Sequence, residues 1–142
     1  YVKDRKQFGK LLSEKQLIQY KLADMYSEYN LGLLGCYQVA NLVDKNDSIP
    51  EIISIVKRNS CQKSLDISRK CRDILGGNGI SQEYPIFRHL TNLEAVNTYE
   101  GTHDIHSLII GKYLTGSNSF WTIKFIIFLC TNYEIYFLVL YI

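Results

Sequence analysis

The sequence predicts an all-α fold, an antiparallel helical bundle of two long and two shorter helices. Apolar residues recur at spacings of three and four over two long segments, which is the pattern of a helix with one buried face. Clusters of glycine, proline and asparagine separate the helical segments. No run before residue 120 alternates long enough between apolar and polar residues to make a convincing strand. The length of 142 residues is enough for one domain with its own core.

The first long helix is predicted over residues 13–44. Ser13 and Gln16 have the spacing of a capping box, in which each side chain bonds the backbone N–H of the other residue. One apolar stripe follows, made of Ile18, Leu22, Met25, Tyr29, Leu33, Cys36, Ala40 and Val43. The polar residues 45–47 end this pattern, and we expect residues 1–6 to be the tail of another helix.

The second long helix is predicted to begin at a second capping box, Ser48 to Glu51, with Pro50 in the first turn. Its inward row combines apolar and small residues, which suit close helix packing: Ile53, Val56, Ser60, Ser64, Ile67, Cys71 and Leu75. The run Gly-Gly-Asn-Gly at residues 76–79 ends the helix, because glycine and asparagine readily adopt the left-handed conformation. Shorter helices are predicted to start near Pro85 and at Thr102.

The charge and the cysteines narrow the class of protein. Lys and Arg number 16 against 14 Asp and Glu, which gives a formal net charge of +2. A balance this even does not favour a nucleic-acid or membrane-surface partner.

The four cysteines show no C-x-x-C pairing, so we interpret them as reduced intracellular thiols: Cys36, Cys61, Cys71 and Cys130. The chain starts without Met or a signal peptide, and we expect it to be part of a longer protein.

Residues 121–142 differ abruptly from the rest of the chain. They are rich in aromatic and β-branched residues, and only Lys124 and Glu134 are charged. A transmembrane helix needs about 20 apolar residues, and Glu134 interrupts the best window. We therefore predict an apolar tail rather than a membrane span.

The stretch NTYEGTHDIH, residues 97–106, contains the candidate chemistry. Thr102 is a natural N-cap, and Glu100 lies directly before the helix that it starts. From spacing alone, Glu100 is either a solvated loop carboxylate or a general base. His103 and His106 are three residues apart, but no further ligands follow at metal spacing, so we predict no metal site. The glycines at 76–79 fit either a phosphate cradle or a simple helix end.

Three stretches together resemble the C-terminal domain of the acyl-CoA dehydrogenases. They read DRKQFGKLLSEKQLIQYKLADM, RDILGGNGISQEY and RHLTNLEAVNTYEGTHDIH. The third is most similar to the glutaryl-CoA dehydrogenase branch of that family. The resemblance covers residues 1–120, which predicts one domain of that extent followed by an unrelated tail at 121–142.

This resemblance implies a catalytic role for Glu100. In the family, the glutamate of the YEGT motif removes the proton α to the thioester of an acyl-CoA while a hydride passes from the β-carbon to FAD. In the glutaryl branch, the distal carboxylate then leaves as CO2, crotonyl-CoA forms, and the same base returns a proton. Gly101 matches a substrate contact of the family.

The cofactor residues also come from the resemblance. Thr102 and Phe120 match FAD contacts. A further set matches residues that reach the FAD of a neighbouring subunit: Arg5, Gln16, Asp73, Ile74, Leu75, Gly76 and Gly77. Since Gln16 cannot serve fully in both a capping box and a cofactor contact, we favour the cofactor contact in the assembled enzyme.

The family further implies a homotetramer in the mitochondrial matrix that passes electrons to an electron-transfer flavoprotein. Two alternatives stay open, namely a peroxisomal acyl-CoA oxidase that reduces oxygen, and a non-catalytic helical domain kept for assembly. The family's N-terminal helical domain and middle β-domain hold most of the acyl pocket. Because neither is present here, we expect this fragment alone to bind FAD weakly and to turn over nothing.

Overall fold

The computed structural model describes residues 1–47 and 49–118, which form the predicted antiparallel helical bundle. The elements in chain order are β1 (Lys6–Gln7), β2 (Lys10–Leu11), a 3₁₀ turn (Leu12–Glu14), α1 (Gln16–Asp44), α2 (Pro50–Leu75), a second 3₁₀ turn (Gly76–Gly79), α3 (Ile86–Thr98) and α4 (His103–Thr115). None of these helices is long and apolar enough to cross a membrane. Phe120 and the predicted apolar tail lie outside the described residues.

The two long helices form an antiparallel pair. Small residues allow a close approach, since Cys36 Sγ lies 3.8 Å from Ser60 Oγ and a Cβ on Gly32 would meet that same hydroxyl at 3.7 Å. Ion pairs border the contact: Lys21–Asp73, Asp24–Lys70 and Glu28–Lys63. The predicted row of small residues on the second long helix therefore does lie against the first.

α2 is the central helix, because α1, α3 and α4 all pack against it. Its fully buried residues spread over more than one face: Ser54, Ser60, Cys61, Leu65 and Ser68. Of the predicted inward row only Ser60 is fully buried, and the other members are partly exposed. A single stripe was too narrow a prediction, because a helix covered by three neighbours buries a wider arc than one stripe.

A second side of α1, turned away from α2, carries large apolar side chains that are exposed. Its main members are Leu17, Tyr20, Leu31 and Leu34, each more than 60% exposed. Their separations of three and eleven residues place them within one side of the helix. We call this set the outer face of α1.

The start of the chain is not the tail of a helix, as residues 1–6 had been predicted to be. Residues 1–5 form a turn in which the N–H groups of Asp4 and Arg5 donate to the Tyr1 carbonyl at 3.0 and 2.9 Å. β1 and β2 then pair as an antiparallel hairpin. Phe8 and Gly9 at its tip have φ of 52° and 74°, the positive values that a tight two-residue hairpin turn requires. Six residues are too few to reveal a helical period.

The predicted capping box at the start of the first long helix is also wrong. α1 begins at Gln16, three residues later than predicted, and its N-cap is Lys15, which makes no side-chain capping bond. Instead, the Gln19 side-chain amide donates to the Ser13 carbonyl at 2.9 Å. The side chain of Gln16 is exposed and takes no part in a capping box, so capping does not conflict with another role of this residue.

Both ends of α2 lie where the sequence predicts them. The helix begins at Pro50, although Ser48 of the second predicted capping box lies outside the described residues. It ends before Gly76, which has a φ of +60°. Gly79 then packs so tightly that a Cβ would lie 2.4 Å from the Arg72 carbonyl oxygen, which explains a glycine in the last position of the turn.

Three of the four cysteines are described, and they are free, as predicted. Cys36 and Cys61 are buried, and Cys71 is half-buried. Burial raises the pKa of all three thiols, so they stay protonated near neutral pH. They serve as small apolar residues of the helix contacts.

Candidate active site

Glu100 lies in a four-residue segment between α3 and α4, which we call the Glu100 turn (Tyr99–Thr102). The N–H of Tyr99 closes the end of α3 by donating to the Ala95 carbonyl at 3.0 Å. Glu100 has a φ of +60° and Gly101 a φ of +97°. A non-glycine residue at positive φ is uncommon, and it persists where its surroundings hold it. The chain therefore presents Glu100 on a sharply bent and conformationally restricted segment.

Thr102 is the N-cap of α4, as the sequence predicts. Its hydroxyl accepts the N–H of Ile105 at 3.4 Å, and its carbonyl accepts the N–H of His106 at 3.1 Å. The first N–H groups of a helix have no intrahelical acceptor and carry a partial positive charge. The start of α4 is thus suited to an electronegative group lying beside the turn.

The carboxylate of Glu100 has one buried oxygen, Oε2, that has no hydrogen-bond partner among the described residues. Buried polar atoms are nearly always hydrogen-bonded, so such an oxygen is available to a bound molecule. A solvated loop carboxylate would instead expose both oxygens. A buried oxygen without a partner meets one geometric requirement of a general base, which is one of the two interpretations left open by the spacing.

His106 forms the floor beneath the Glu100 turn. Its side chain is fully buried, at 0% exposed. A Cβ on Gly101 would lie 2.8 Å from its Nε2 atom, closer than real Cβ contacts come. Only glycine fits this position, because both the φ and the close imidazole exclude a larger residue.

The His106 ring is neutral at physiological pH. Burial lowers its pKa to about 4, and the nearby positive charge of Lys57 adds to the effect. The backbone of Glu100 and of Gly101 acts in the opposite direction. That opposing effect is smaller than those of burial and of Lys57, and neither ring nitrogen has a partner at full hydrogen-bonding geometry among the described residues.

This depressed pKa predicts acid sensitivity of the fold. The unfolded chain binds a proton on His106 near pH 6.5 and the folded chain only near pH 4, so stability falls as the pH drops between those values. The loss attributable to His106 is about 3 kcal/mol at most. The test is chemical denaturation of the 142-residue chain at several pH values from 7.5 to 4, for wild type and for His106→Gln. The slope of the free energy of unfolding against pH is compared between the two.

The control for this prediction is His89→Gln, which removes an exposed histidine of α3. We expect it to leave the pH slope unchanged. The groups that face His106 are Lys57 on α2, His103 on α4 and the backbone of Glu100 and Gly101, and both variants keep all of them. Parallel slopes for wild type and His106→Gln would show that His106 does not cause the acid sensitivity.

The predicted contacts to a neighbouring FAD form a second cluster, at another end of the bundle. The Tyr1 hydroxyl donates to the Leu75 carbonyl at 3.3 Å, and the Asn78 side-chain amide donates to the Tyr1 hydroxyl at 3.2 Å. These bonds hold the turn that contains Arg5 against the glycines that follow α2. Lys21, near the start of α1, pairs with Asp73 and lowers the pKa of that carboxyl. Arg5, Gln16 and residues 73–77 are thus brought to one end of the bundle.

The Glu100 turn lies far from that cluster. Lys57 Nζ is 2.9 Å from the Gly101 carbonyl oxygen, while Leu75 marks the other cluster. At a rise of about 1.5 Å per residue, the stretch of α2 between Lys57 and Leu75 is about 27 Å long. The structure therefore does not bring Thr102 together with Arg5, Gln16 and residues 73–77.

Two residues of the site were missed or misjudged from the sequence. Lys57 contacts the Glu100 turn from α2, and no local pattern singles out a lysine next to the apolar row. His106 was considered only as a metal ligand. Residues 1–47 and 49–118 contain no group of three or more His, Cys, Asp and Glu residues that could hold a metal ion.

Known proteins are similar to this chain in sequence and in fold. The family described as "Acyl-CoA dehydrogenase, C-terminal domain" matches residues 1–115. A glutaryl-CoA dehydrogenase from Mycobacterium smegmatis, solved in complex with FADH2, superposes with a TM-score of 0.82 at 45% identity, over 85% of this chain and 31% of that one. An acyl-CoA dehydrogenase of Bacillus subtilis is 33% identical over 82% of this chain and 31% of its own length. The mitochondrial 2-methylacyl-CoA dehydrogenase of Solanum tuberosum is 35% identical over 80% of this chain and 28% of its own length.

These matches define what the chain shares with its relatives. The matched residues 1–115 contain all four helices of this chain and the Glu100 turn between α3 and α4. The chain spans less than a third of the length of the curated relatives that it matches. The chain belongs to the acyl-CoA dehydrogenase family, and its residues 1–115 correspond to the C-terminal domain of that family.

Proposed function

We propose that this chain is the C-terminal part of an FAD-dependent glutaryl-CoA dehydrogenase in which Glu100 is the catalytic base. The observation that carries the proposal is the buried, unpartnered Oε2 of Glu100 on a restricted turn at the start of α4. In the proposed reaction, this carboxylate takes the proton from the carbon α to the thioester. FAD, when bound, supplies the acceptor for the hydride that leaves the β-carbon. After the distal carboxylate of the substrate departs as CO2, protonated Glu100 returns its proton and crotonyl-CoA forms.

The geometry supports the proton transfer in two ways. A general base must lie within hydrogen-bond reach of the proton that it removes, and Oε2 has no competing donor among the described residues. The bent backbone of Glu100 and Gly101 restricts where the carboxylate can point, which lowers the cost of orienting it in the transition state. Gly101, in contact distance of His106, is the proposed substrate contact.

The described residues fit FAD at two separate places. Thr102 and the first N–H groups of α4 offer donors beside Glu100. At the other end, Gly76 and Gly77 are exposed, and a Cβ on either would meet nothing within 4 Å, so their backbone is open to a bound group. The exposed guanidinium of Arg5 belongs to that end and suits a pyrophosphate. Gln16, Asp73, Ile74 and Leu75 complete this proposed second set.

The separation of the two sets supports contact between neighbouring subunits, as the proposed homotetramer requires. A single chain cannot place both sets against one reacting centre across about 27 Å of helix. The second set would instead contact the FAD of a neighbouring subunit. The outer face of α1 supports the same proposal, since exposed apolar patches commonly mark an interface.

The substrate, the electron acceptor and the compartment are proposed on the strength of the relatives. The 45% identity to a glutaryl-CoA dehydrogenase supports glutaryl-CoA as the acyl-CoA substrate. The family resemblance supports an electron-transfer flavoprotein as acceptor. The mitochondrial relative from Solanum tuberosum supports the mitochondrial matrix, whereas the Bacillus relative is bacterial.

The proposal is tested with a hybrid enzyme, in which residues 1–118 of this chain replace the matched segment of the mycobacterial glutaryl-CoA dehydrogenase. We expect the hybrid to bind FAD and to convert glutaryl-CoA to crotonyl-CoA and CO2 with electron-transfer flavoprotein as acceptor. The 142-residue chain alone should turn over no glutaryl-CoA. A hybrid that holds FAD and releases no product would contradict the proposal, and rapid flavin reoxidation by O2 would favour the oxidase alternative.

A further inference from the structure

We propose that Lys57, on α2, is a positioning residue that holds the Glu100 turn and thereby aims the Glu100 carboxylate. The inference rests on the proposed function, since it gives a role to the conformation of the base. It concerns a residue outside the turn and 43 positions before Glu100 in the sequence. The three hydrogen bonds that carry the inference all run from Lys57 to backbone carbonyl oxygens.

The ammonium of Lys57 donates to three carbonyl oxygens. They belong to Val96 at 3.0 Å, Tyr99 at 3.0 Å and Gly101 at 2.9 Å. Val96 lies in the last turn of α3, where carbonyl groups lack an intrahelical N–H partner. One charged donor thus closes the end of α3 and binds the segment that follows it.

The positions of these carbonyls explain why Glu100 in particular is held. Tyr99 and Gly101 precede and follow Glu100, so fixing both carbonyls restrains the peptide groups around the Glu100 Cα. The restraint acts on a residue with a φ of +60°, a conformation that needs support from its surroundings. The Lys57 ammonium also lies 5.9 Å from the centroid of the Tyr99 ring, within the range of a cation–π contact.

The other side of the turn is closed by His106. The neutral, buried imidazole of His106 lies against Gly101, so the turn cannot move closer to the core of the bundle. Because the ring is uncharged, it does not repel the ammonium that approaches the same turn. The hydrogen bonds from Lys57 hold the turn against α2, and contact with His106 limits its movement in that direction. The turn is therefore restrained to one position.

The first test uses the 142-residue chain and the substitution Lys57→Met, which keeps an unbranched side chain only one atom shorter and removes its donors. We expect amide hydrogen exchange at Tyr99 and Ile105, the reporters of the α3 end and the α4 start, to quicken roughly 10-fold. The matched control is Lys63→Met, on the same helix, which removes a partly exposed ion pair to Glu28. It should leave both amides unchanged, and wild-type exchange at both amides in Lys57→Met would overturn the inference.

A measurement on the wild-type chain covers the case in which Lys57→Met does not fold. The Lys57 ammonium, held by three carbonyls, should exchange its protons with water more slowly than the ammonium of Lys63 in nitrogen-15 NMR spectra. Equal proton exchange of the two ammonium groups would contradict the inference, as would wild-type amide exchange of the turn in Lys57→Met.

The last test separates positioning from general stability in the hybrid enzyme. Displacing a base by about 1 Å costs about 100-fold in rate, so Lys57→Met should lower kcat by that order while KM and FAD content stay near wild type. A merely structural role would lower FAD content and active fraction instead. If Glu100→Gln abolishes turnover and Lys57→Met leaves kcat unchanged, this inference fails and the proposed function stands. If Glu100→Gln keeps full turnover, the proposed function fails regardless of Lys57.

Discussion

Replacing Glu100 with Gln in the hybrid enzyme is expected to lower kcat for glutaryl-CoA about 1,000-fold, because the amide cannot accept the α-proton. Glutamine has nearly the same shape, so the turn should keep its conformation and the start of α4 its N-cap. The hybrid should therefore retain FAD and its state of assembly. Anaerobic flavin reduction by glutaryl-CoA in a single turnover, followed by flavin absorbance, measures the loss without the electron acceptor.

The matched control is Glu94→Gln on α3. The Glu94 carboxylate pairs with Arg69 at 2.8 Å, and both side chains are about half exposed. Exposed ion pairs contribute little to stability, so this variant should reduce flavin at the wild-type rate. Loss of flavin reduction in both variants would mean that the effect is not specific to the Glu100 carboxylate.

Gly101→Ala is expected to destabilise the 142-residue chain by roughly 2–4 kcal/mol. A residue with a Cβ is disfavoured at a φ of +97°, and the new methyl group would lie 2.8 Å from His106 Nε2 in a site with no room for it. Either the turn or the imidazole must move, and movement of the turn displaces Glu100. Urea denaturation at pH 7 measures the free energy of unfolding of the variant against wild type.

Gly111→Ala is the control for that substitution. Gly111 lies within α4, and a Cβ there would meet nothing within 4 Å. Alanine is favoured over glycine in a helix by up to about 1 kcal/mol, so this variant should be as stable as wild type or more stable. An equal loss of stability in the two variants would show that crowding at Gly101 is not what excludes a side chain.

The helices could be predicted because each one is a local pattern of the sequence. α2 begins at Pro50 and ends before Gly76, where a proline and a glycine mark its limits. The prediction of a helix tail at residues 1–6 was wrong, because a turn at residues 1–5 followed by strands of two residues has no period to detect. The predicted capping box at Ser13 was wrong because Ser13 lies inside the 3₁₀ turn that precedes α1, and Lys15 is the N-cap.

The candidate site was predictable only where it is local. Thr102 as an N-cap and Glu100 directly before it follow from adjacent residues. Lys57 reaches the turn across more than 40 residues of sequence, and only the packing of α3 against α2 brings it there. The burial of His106 likewise depends on where α4 lies. From the sequence, the spacing of the two histidines could be assessed only for metal binding, and the packing role of His106 was missed.

The most direct test of the central claim, that Glu100 removes the α-proton, is exchange of that proton with solvent. The hybrid enzyme is incubated anaerobically in D2O with glutaryl-CoA, and mass spectrometry measures deuterium at the carbon α to the thioester in the recovered substrate. We predict incorporation with the wild-type chain and its loss with Glu100→Gln while FAD stays bound. Incorporation at the wild-type rate in Glu100→Gln would contradict the account.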